Sequence, residues 1–316
     1  MRRTLAAAAA FGLAALALTG CATASAPMCA RTTNPGNLAS LVQVSGDFAK
    51  KPTVDISSPL SPGDGQFVDL TTGTGTEIVS DDQLVGLAVD LFSAKTGKEI
   101  VTAGYGSTGP TITPVSTWVQ TVPGFEAALK CAGEGTRMIV GLTPTELGSS
   151  TASLGLAADE SAIAVIDVQK VYLSRADGTP VFNDGHNLPV VVLAPSGQPG
   201  VTIPKTDPPT SLVVQTLQKG TGATVGDKDT VRVAYTGLTW ADGKVFDSSW
   251  GSTPASLSMT GIVPGLATAL KGATVGSQIL AVIPPSDGYG STATGQIPAN
   301  STLVFVVDIL GIDATQ

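Results

Sequence analysis

Few side chains in this sequence could act as a nucleophile, a base or a metal ligand. Its 316 residues hold 1 His and 3 Cys. That is too little nitrogen and sulfur for a metal centre, so neither a metal nor a cofactor is expected. His186 could join a Ser and an Asp in a hydrolytic triad. It stands in an Asp-Gly-His-Asn turn of a turn-dense segment, and is set aside. Gly104-x-Gly106-x-x-Gly109 has the glycine spacing of a dinucleotide loop. Pro110 follows at once and residues 111–117 read as non-helical, so the strand-turn-helix context of that fingerprint is missing. Asn300-Ser301-Thr302 is a glycosylation sequon by pattern, and is set aside in favour of the motif it falls in. Nucleophilic and metal chemistry therefore have little to draw on.

Composition narrows the choice further. Apolar residues make up 42% and charged residues 13%, with a net charge of −8. This excludes a charge-solvated disordered chain and a basic nucleic-acid-binding face. With 37 Gly, 21 Pro and many Val and Thr, sheet and turns are favoured over helical bundles. The length suits two domains of ~150 residues each.

Those two domains are visible as a repeat. GTGATVG at 220–226 answers GTGTEI at 73–78, and VRVAYTGLTWADGKVF at 231–246 answers VGLAVDLFSAKTGKEI at 85–100. IVPGLATALK at 262–271 answers TVPGFEAALK at 121–130, and LVFVVD at 303–308 answers AIAVID at 162–167. The order is the same and the offset stays between 141 and 147 residues. A period this long is a duplicated domain, not a solenoid. The first copy is placed at 42–175 and the second at 205–316, with a connector at 176–204 in which Val190–Leu193 is an apolar run.

In the second copy, Leu212–Leu217 reads as a strand. Val231, Val233 and Tyr235 alternate with Arg232, Ala234 and Thr236, so that strand has one buried face. Ala241-Asp242-Gly243-Lys244 reads as a hairpin turn. Pro264–Lys271 reads as a short helix, with Pro264 in its first turn and Gly272 past its end. Ser277–Pro284 and Thr302–Leu310 are further strands. The expected fold class is α+β: two tandem domains, each a twisted antiparallel sheet wrapped on one short helix. The first copy would place its helix near Gly124–Lys130.

The N-terminus carries an address. Met1-Arg2-Arg3 is basic, an apolar run spans Leu5 to Leu18, and Leu18-Thr19-Gly20-Cys21 follows. The run is short for a membrane span and suits a secretory signal. The four residues resemble the lipobox of bacterial lipoproteins. That resemblance implies cleavage after residue 20, diacylglycerol on Cys21, and a lipid-anchored protein on the extracytoplasmic face of a bacterial cell membrane. Residues 21–41, small and polar, read as a tether. Export would leave Cys29 and Cys131 as an even pair in an oxidising compartment, and a disulfide between them is expected. Two free thiols are the alternative.

Five further motifs occur in order: Val-Ala-Tyr-Thr-Gly at 233–237, Gly-Lys-Val-Phe-Asp-Ser-Ser at 243–249, Val-Pro-Gly-Leu at 263–266, Asp-Gly-Tyr-Gly at 287–290, and Ile-Pro-Ala-Asn-Ser-Thr-Leu-Val-Phe at 297–305. Together they resemble the FKBP-type peptidyl-prolyl cis-trans isomerase domain, over residues ~210–312. The resemblance implies isomerisation of Xaa-Pro bonds in a pocket between helix and sheet. It gives catalytic positions to Tyr235, Phe246, Asp247, Val263 and Tyr289. Ile262, Leu266, Ile297 and Phe305 become substrate-binding walls, and a backbone N–H at Ile262 or Val263 would meet a substrate carbonyl. Two positions depart from the family pattern: Leu266 stands where many members have Trp, and Ala255 where an aromatic wall residue is common. Trp250, just after the Asp-Ser-Ser turn, is expected to compensate in part.

These residue types fit the chemistry. Amide resonance resists rotation about the peptide bond by ~18–20 kcal/mol. A twisted amide has lost that resonance and its charge separation, so an apolar, water-poor pocket favours it over the planar form. In the first copy, Val89 replaces Tyr235, Ile100 replaces Phe246, Val101 replaces Asp247, Gly148 replaces Tyr289 and Ala164 replaces Phe305. The first domain is therefore expected to be degenerate and inactive. The whole would be a monomeric, tethered isomerase for proline-containing segments of exported proteins, with no nucleic-acid partner. A non-enzymatic holdase using the same groove is the alternative.

Overall fold

The duplication is written into the order and register of the strands. The computed structural model describes residues 29–107 and 109–313. The expected signal peptide, the Cys21 lipidation site and the first part of the tether lie outside these residues. Residues 1–30 and 31–316 are two separate units, and everything below concerns the second.

Its first half runs α1 (Leu38–Leu41), β1 (Val42–Ser45), β2 (Thr53–Ile56), β3 (Phe67–Thr71), β4 (Leu84–Ser93), β5 (Glu99–Ala103), β6 (Ile112–Pro114), α2 (Val115–Thr121), α3 (Phe125–Leu129), β7 (Arg137–Leu142), α4 (Pro144–Leu147), α5 (Ser150–Ser153) and β8 (Ala162–Val171). The second half runs β9 (Thr179–Pro180), β10 (Val190–Leu193), β11 (Pro199–Thr202), β12 (Val213–Lys219), β13 (Thr230–Thr239), β14 (Val245–Ser248), β15 (Ala255–Ser258), α6 (Pro264–Leu270), β16 (Gln278–Ile283) and β17 (Leu303–Ile312). A 3-10 turn covers Pro285–Asp287.

The first sheet has the order β3-β7-β8-β4-β5 with β6 also on β4; the second has β14-β13-β17-β16-β12-β9 with β15 also on β13. Reversed, the second order matches the first, strand for strand, apart from β9. Register agrees too: Val89 faces Ile166 as Tyr235 faces Val307. Even the bulges recur, between Gly86 and Leu87 in β4 and between Arg232 and Val233 in β13. This is the α+β tandem arrangement expected from the repeat.

Each helix packs where its apolar face dictates. Helix α6 has Pro264 in its first turn and buries Gly265, Leu266, Ala269 and Leu270. A Cβ on Gly265 would lie 2.4 Å from Ile283 Cγ2, so the close approach of helix to sheet depends on that glycine. Helix α3 buries Phe125, Ala128 and Leu129 in the same way.

The outer faces of both sheets are also covered, which alternation alone did not indicate. All ten residues of β4 are buried. On its outer side Leu38, Val42, Ile56 and Leu60 pack with Phe92, Ile139, Ile163 and Val165. Burying a side chain such as Leu38 stabilises by ~1.5–3 kcal/mol. Arg31 adds a fork to Asp69, with Nε and Nη2 each 2.6 Å from a carboxylate oxygen. Residues 31–41, placed in the expected tether, are therefore packed against the first sheet. In the second domain, β10 and β11 form a hairpin from the connector. Its Val191 and Val201 cover Leu238, Trp240, Leu280 and Val304. The apolar run Val190–Leu193 thus packs on the outer face of the second domain, while β9 extends that sheet beside β12.

One helix departs from the expectation. Residues 115–117 open α2, although 111–117 read as non-helical. Val115 is buried, and Trp118 meets Phe125 with ring centroids 6.4 Å apart. Packing onto the core overrides the β-preference of Val-Ser-Thr-Trp-Val. Residues 112–114 before it are a strand on β4, so the glycine loop at 104–109 still does not open a helix.

The two domains touch directly. Leu173 N–H donates to Leu310 O at 3.0 Å, and Leu84, Tyr172, Ala234 and Leu310 share a buried cluster. Asp313 accepts the Tyr172 hydroxyl at 2.7 Å and pairs with Arg232 at 2.9 Å.

A candidate proline-binding hollow in the second domain

Strand β13 carries Tyr235 on the helix-facing side, and its neighbours hold it in place. Tyr235 N–H donates to Ser249 Oγ at 2.9 Å, and Tyr235 O accepts from Ser248 Oγ at 3.1 Å and from Ser249 N–H at 3.1 Å. The Tyr235 hydroxyl donates to Asp247 Oδ2. Burial first, then that bond and the carboxylate's charge, raise the phenol above its ordinary pKa. Tyr235 therefore stays protonated, a donor tied to Asp247.

Phe305, from β17, is the centre of the aromatic set. It lies 5.6 Å from Phe246 in an edge-on arrangement and 6.2 Å from Tyr235 in a tilted one. Room for these rings comes from Gly237. A Cβ there would fall 2.7 Å from Phe246 Cζ and 2.9 Å from Phe305 Cε1. The first domain has Leu91 at the equivalent register position. Gly237 belongs to a motif read in the sequence, but its role was not legible there.

Leu266, Ile297 and Phe305 are buried in one cluster, with Tyr235, Phe246, Ala255, Ile262 and Val263 packed partly buried against it. The structure thus gathers eight side chains discussed above. It adds Met259 and Leu257, which sequence reasoning did not name. Val263 O caps the start of α6 by accepting from Leu266 and Ala267 N–H. Among the described residues no hydrogen bond engages the Ile262 or Val263 N–H. Tyr289 lies outside the cluster, 38% exposed, after the 3-10 turn. It is near enough to Tyr235 to act on it electrostatically.

Trp250 does not compensate for Ala255: it packs with Leu84, Tyr172, Ala234 and Leu310 between the domains. Adjacency in sequence to Asp247 did not reveal that the chain leaves the sheet after β14 and turns its indole to the other side. Cys29 and Cys131 are both disulfide-bonded. His186 is exposed in the connector, and among the described residues no cluster of His, Cys, Asp and Glu could hold a metal.

The corresponding space in the first domain is filled. Val89, Leu91, Phe125 and Leu147 are buried there, with Ile100, Trp118, Leu154 and Leu156 packed against them. Helices α2 and α5 have no counterparts in the second domain, and α4 stands where that domain has the 3-10 turn Pro285–Asp287; α2 and α4 bring in Trp118 and Leu147.

The model of the family described as FKBP-type peptidyl-prolyl cis-trans isomerase matches residues 222–310. The FKBP-type peptidyl-prolyl cis-trans isomerase FkpA of Escherichia coli K12 is 43% identical over 104 residues, 33% of this chain and 38% of that protein. The match thus spans well under half of FkpA. A crystal structure of FkpA from Escherichia coli aligns with a TM-score of 0.32 at 34% identity, covering 42% of this chain and 54% of that one. A probable FK506-binding protein of Corynebacterium glutamicum is 31% identical over 114 residues, 36% of this chain but 97% of that protein. The chain belongs to the FKBP-type peptidyl-prolyl cis-trans isomerase family.

Proposed function

We propose that this protein isomerises Xaa-Pro bonds of exported proteins in the hollow of its second domain. The observation that carries this reading is the convergence of Tyr235, Phe246, Leu266, Ile297 and Phe305 in one apolar cluster, with the Phe246 and Phe305 rings seated against Gly237. A proline ring seated there loses water on both sides of its imide bond. The twisted imide, with less charge separation than the planar one, is then favoured. A free N–H at Ile262 or Val263 and the Tyr289 hydroxyl at the rim position the flanking carbonyls, which orients the bond without any covalent step. Asp247 acts through Tyr235, holding its ring against Phe305. The Tyr235, Phe246, Asp247, Val263 and Tyr289 set is thus read as catalytic, with Ile262, Leu266, Ile297 and Phe305 binding the substrate.

The first domain is read as a non-catalytic partner of the second, since its hollow is filled and Val89, Ile100, Val101, Gly148 and Ala164 offer no polar group. Lipid on Cys21 would tether a monomer to the extracytoplasmic face of the membrane, and Cys29 is read as the disulfide partner of Cys131. The domain bounds 42–175 and 205–316 remain the working division.

Ala255 and Leu266 leave the hollow less aromatic than the family pattern. This favours, as the second reading, a holdase that binds proline-containing segments without turnover. Unaided proline isomerisation takes tens of seconds, so the two readings separate in the refolding of a protein limited by that step. Catalytic amounts of the isomerase shorten the slow phase. A holdase acts only in stoichiometric amounts and lengthens it.

A further inference from the structure

Tyr235 stands at a break in the edge of its sheet. Strand β14 pairs with β13 from Thr236 to Leu238, and β15 pairs with it from Thr230 to Val233. Ala234 and Tyr235 lie between and face neither strand. In the first domain the ladder runs one residue further, and Val89 faces Ala103. The second domain has given up that rung at the residue whose ring enters the hollow.

Ser249 closes the gap with its side chain. Its N–H donates to Tyr235 O at 3.1 Å, as the next rung of a ladder would. Its carbonyl does not return the bond. That oxygen is drawn into a tight turn, where it accepts Ser252 N–H at 3.2 Å and Ser252 Oγ at 3.0 Å. The Ser249 hydroxyl oxygen takes its place and accepts Tyr235 N–H at 2.9 Å. A residue without a side-chain acceptor could not both leave the sheet here and keep that N–H bonded. Ser249 is itself buried, and an interior N–H deprived of its acceptor is costly.

The turn that carries Ser249 is anchored on its far side. Trp250, next in the chain, packs with Leu84 and Tyr172 of the first domain. Its N–H donates to Ser248 Oγ at 3.3 Å, and Ser248 Oγ donates to Tyr235 O at 3.1 Å. The backbone of Tyr235 is thus gripped at both its N–H and its C=O by one fixed turn. The partners of its side chain come from other strands: Phe305 from β17 and Asp247 from β14. A ring must leave the backbone in one direction to meet both, and its hydroxyl, at the far end of the side chain, magnifies any shift of the backbone.

We propose that Ser249 is a positioning residue for the reaction in the hollow: its hydroxyl fixes the Tyr235 backbone, and through it the phenol that packs on Phe305 and bonds Asp247. The proposal rests on the isomerase reading of the hollow and extends it to a residue outside the apolar cluster.

The test uses the soluble chain from residue 22 and follows cis/trans exchange of an Ala-Leu-Pro-Phe peptide by NMR. Ser249→Ala should lower turnover by about fivefold, the order expected for one hydrogen bond. Ser249→Thr, which keeps the hydroxyl, should restore most of it. The deciding comparison repeats Ser249→Ala in a Tyr235→Ala background. Because the hydroxyl acts through Tyr235, turnover there should fall no further, within about twofold. Undiminished turnover in Ser249→Ala, or the same fall in both backgrounds, overturns the proposal; the second result would mark Ser249 as merely structural. If Ser249→Ala does not fold, as read by circular dichroism, Ser249→Val against Ser249→Thr makes the same comparison at nearly constant shape. If the parent itself leaves exchange unchanged, the isomerase reading fails, and peptide affinity for the hollow then replaces turnover in the same cycle.

Discussion

Gln278 donates its amide to Asp308 at 2.7 Å in the buried interior of the second sheet. At the same register position in the first sheet, Arg137 forks onto Asp167 at 2.6 and 2.7 Å. Both acids are buried, yet only Asp167 has a cation hydrogen-bonded to it. Burial, only partly offset by the bonds from Ala176 and Gln278 and by the charge of Arg175, pushes Asp308 up to about 6. Its Oδ2 also accepts Ala176 N–H at 2.8 Å, which ties the segment joining the domains to this carboxyl.

The pH dependence of stability follows from this difference. An acid whose folded pKa is raised stabilises the fold fully below the ordinary carboxylate range, and that contribution is lost as pH rises through the folded value. For Asp308 the span from 3.8 to about 6 corresponds to up to ~3 kcal/mol. Asp90, buried in β4, is also pushed up to about 6, by burial first and then by the charge of Glu99. Thermal unfolding midpoints should therefore be higher at pH 5 than at pH 7.5. Asp308→Asn and Asp90→Asn should each reduce that difference. A flat profile in the parent, or an unchanged one in both variants, contradicts the assignment.

Arg137 is expected to be the costliest polar residue to remove. Besides Asp167 it donates to Gly46 O, Asp47 O and Lys50 O, holding the loop between β1 and β2. Truncating one partner of a buried ion pair typically costs ~3–5 kcal/mol. Arg137→Ala should lower the unfolding free energy by that order in urea titration, and Arg137→Ala with Asp167→Ala by less.

The Cys29 and Cys131 assignment is open to direct chemistry. Peptide mapping without reductant should recover one linked peptide containing both residues. Closing a loop of ~100 residues contributes up to ~4–5 kcal/mol in the chain-entropy account, so reduction should lower the thermal midpoint measurably. Two separate free-thiol peptides would remove the bridge.

Much of the second domain could be read from the sequence because its alternation, its Pro264 helix start and its hairpin turn are local signals. The repeat extended that reading to the first domain, and β4 and β13 agree down to their bulges. Longer-range packing was not legible. Val115–Thr121 is helical because Val115 and Trp118 reach the core, not because of its own preferences. Residues 31–41 look like a tether by composition, yet Leu38 and Arg31 find partners distant in sequence. In the site, types and order located Tyr235, Phe246 and Phe305. The need for Gly237 and the placement of Trp250 depend on side-chain volumes across strands, which spacing does not express.

Gly237 offers a sharp probe of the hollow. The methyl of Gly237→Ala would meet two aromatic rings under 3 Å away, and overpacking of this kind costs ~1–3 kcal/mol. The rings must move into the hollow or away from Tyr235. Peptide turnover should fall by roughly tenfold or more, corresponding to ~1.4 kcal/mol at the transition state, with the fold retained by circular dichroism. Tyr235→Phe, which breaks the bond to Asp247, should have a smaller effect of the same sign.

The central claim is best tested by cis/trans exchange of an Ala-Leu-Pro-Phe peptide, measured by NMR with catalytic amounts of the soluble chain. The parent protein should accelerate exchange, with a marked loss in both Gly237→Ala and Tyr289→Ala. No acceleration by the folded parent, or equal acceleration by all three proteins, would contradict it.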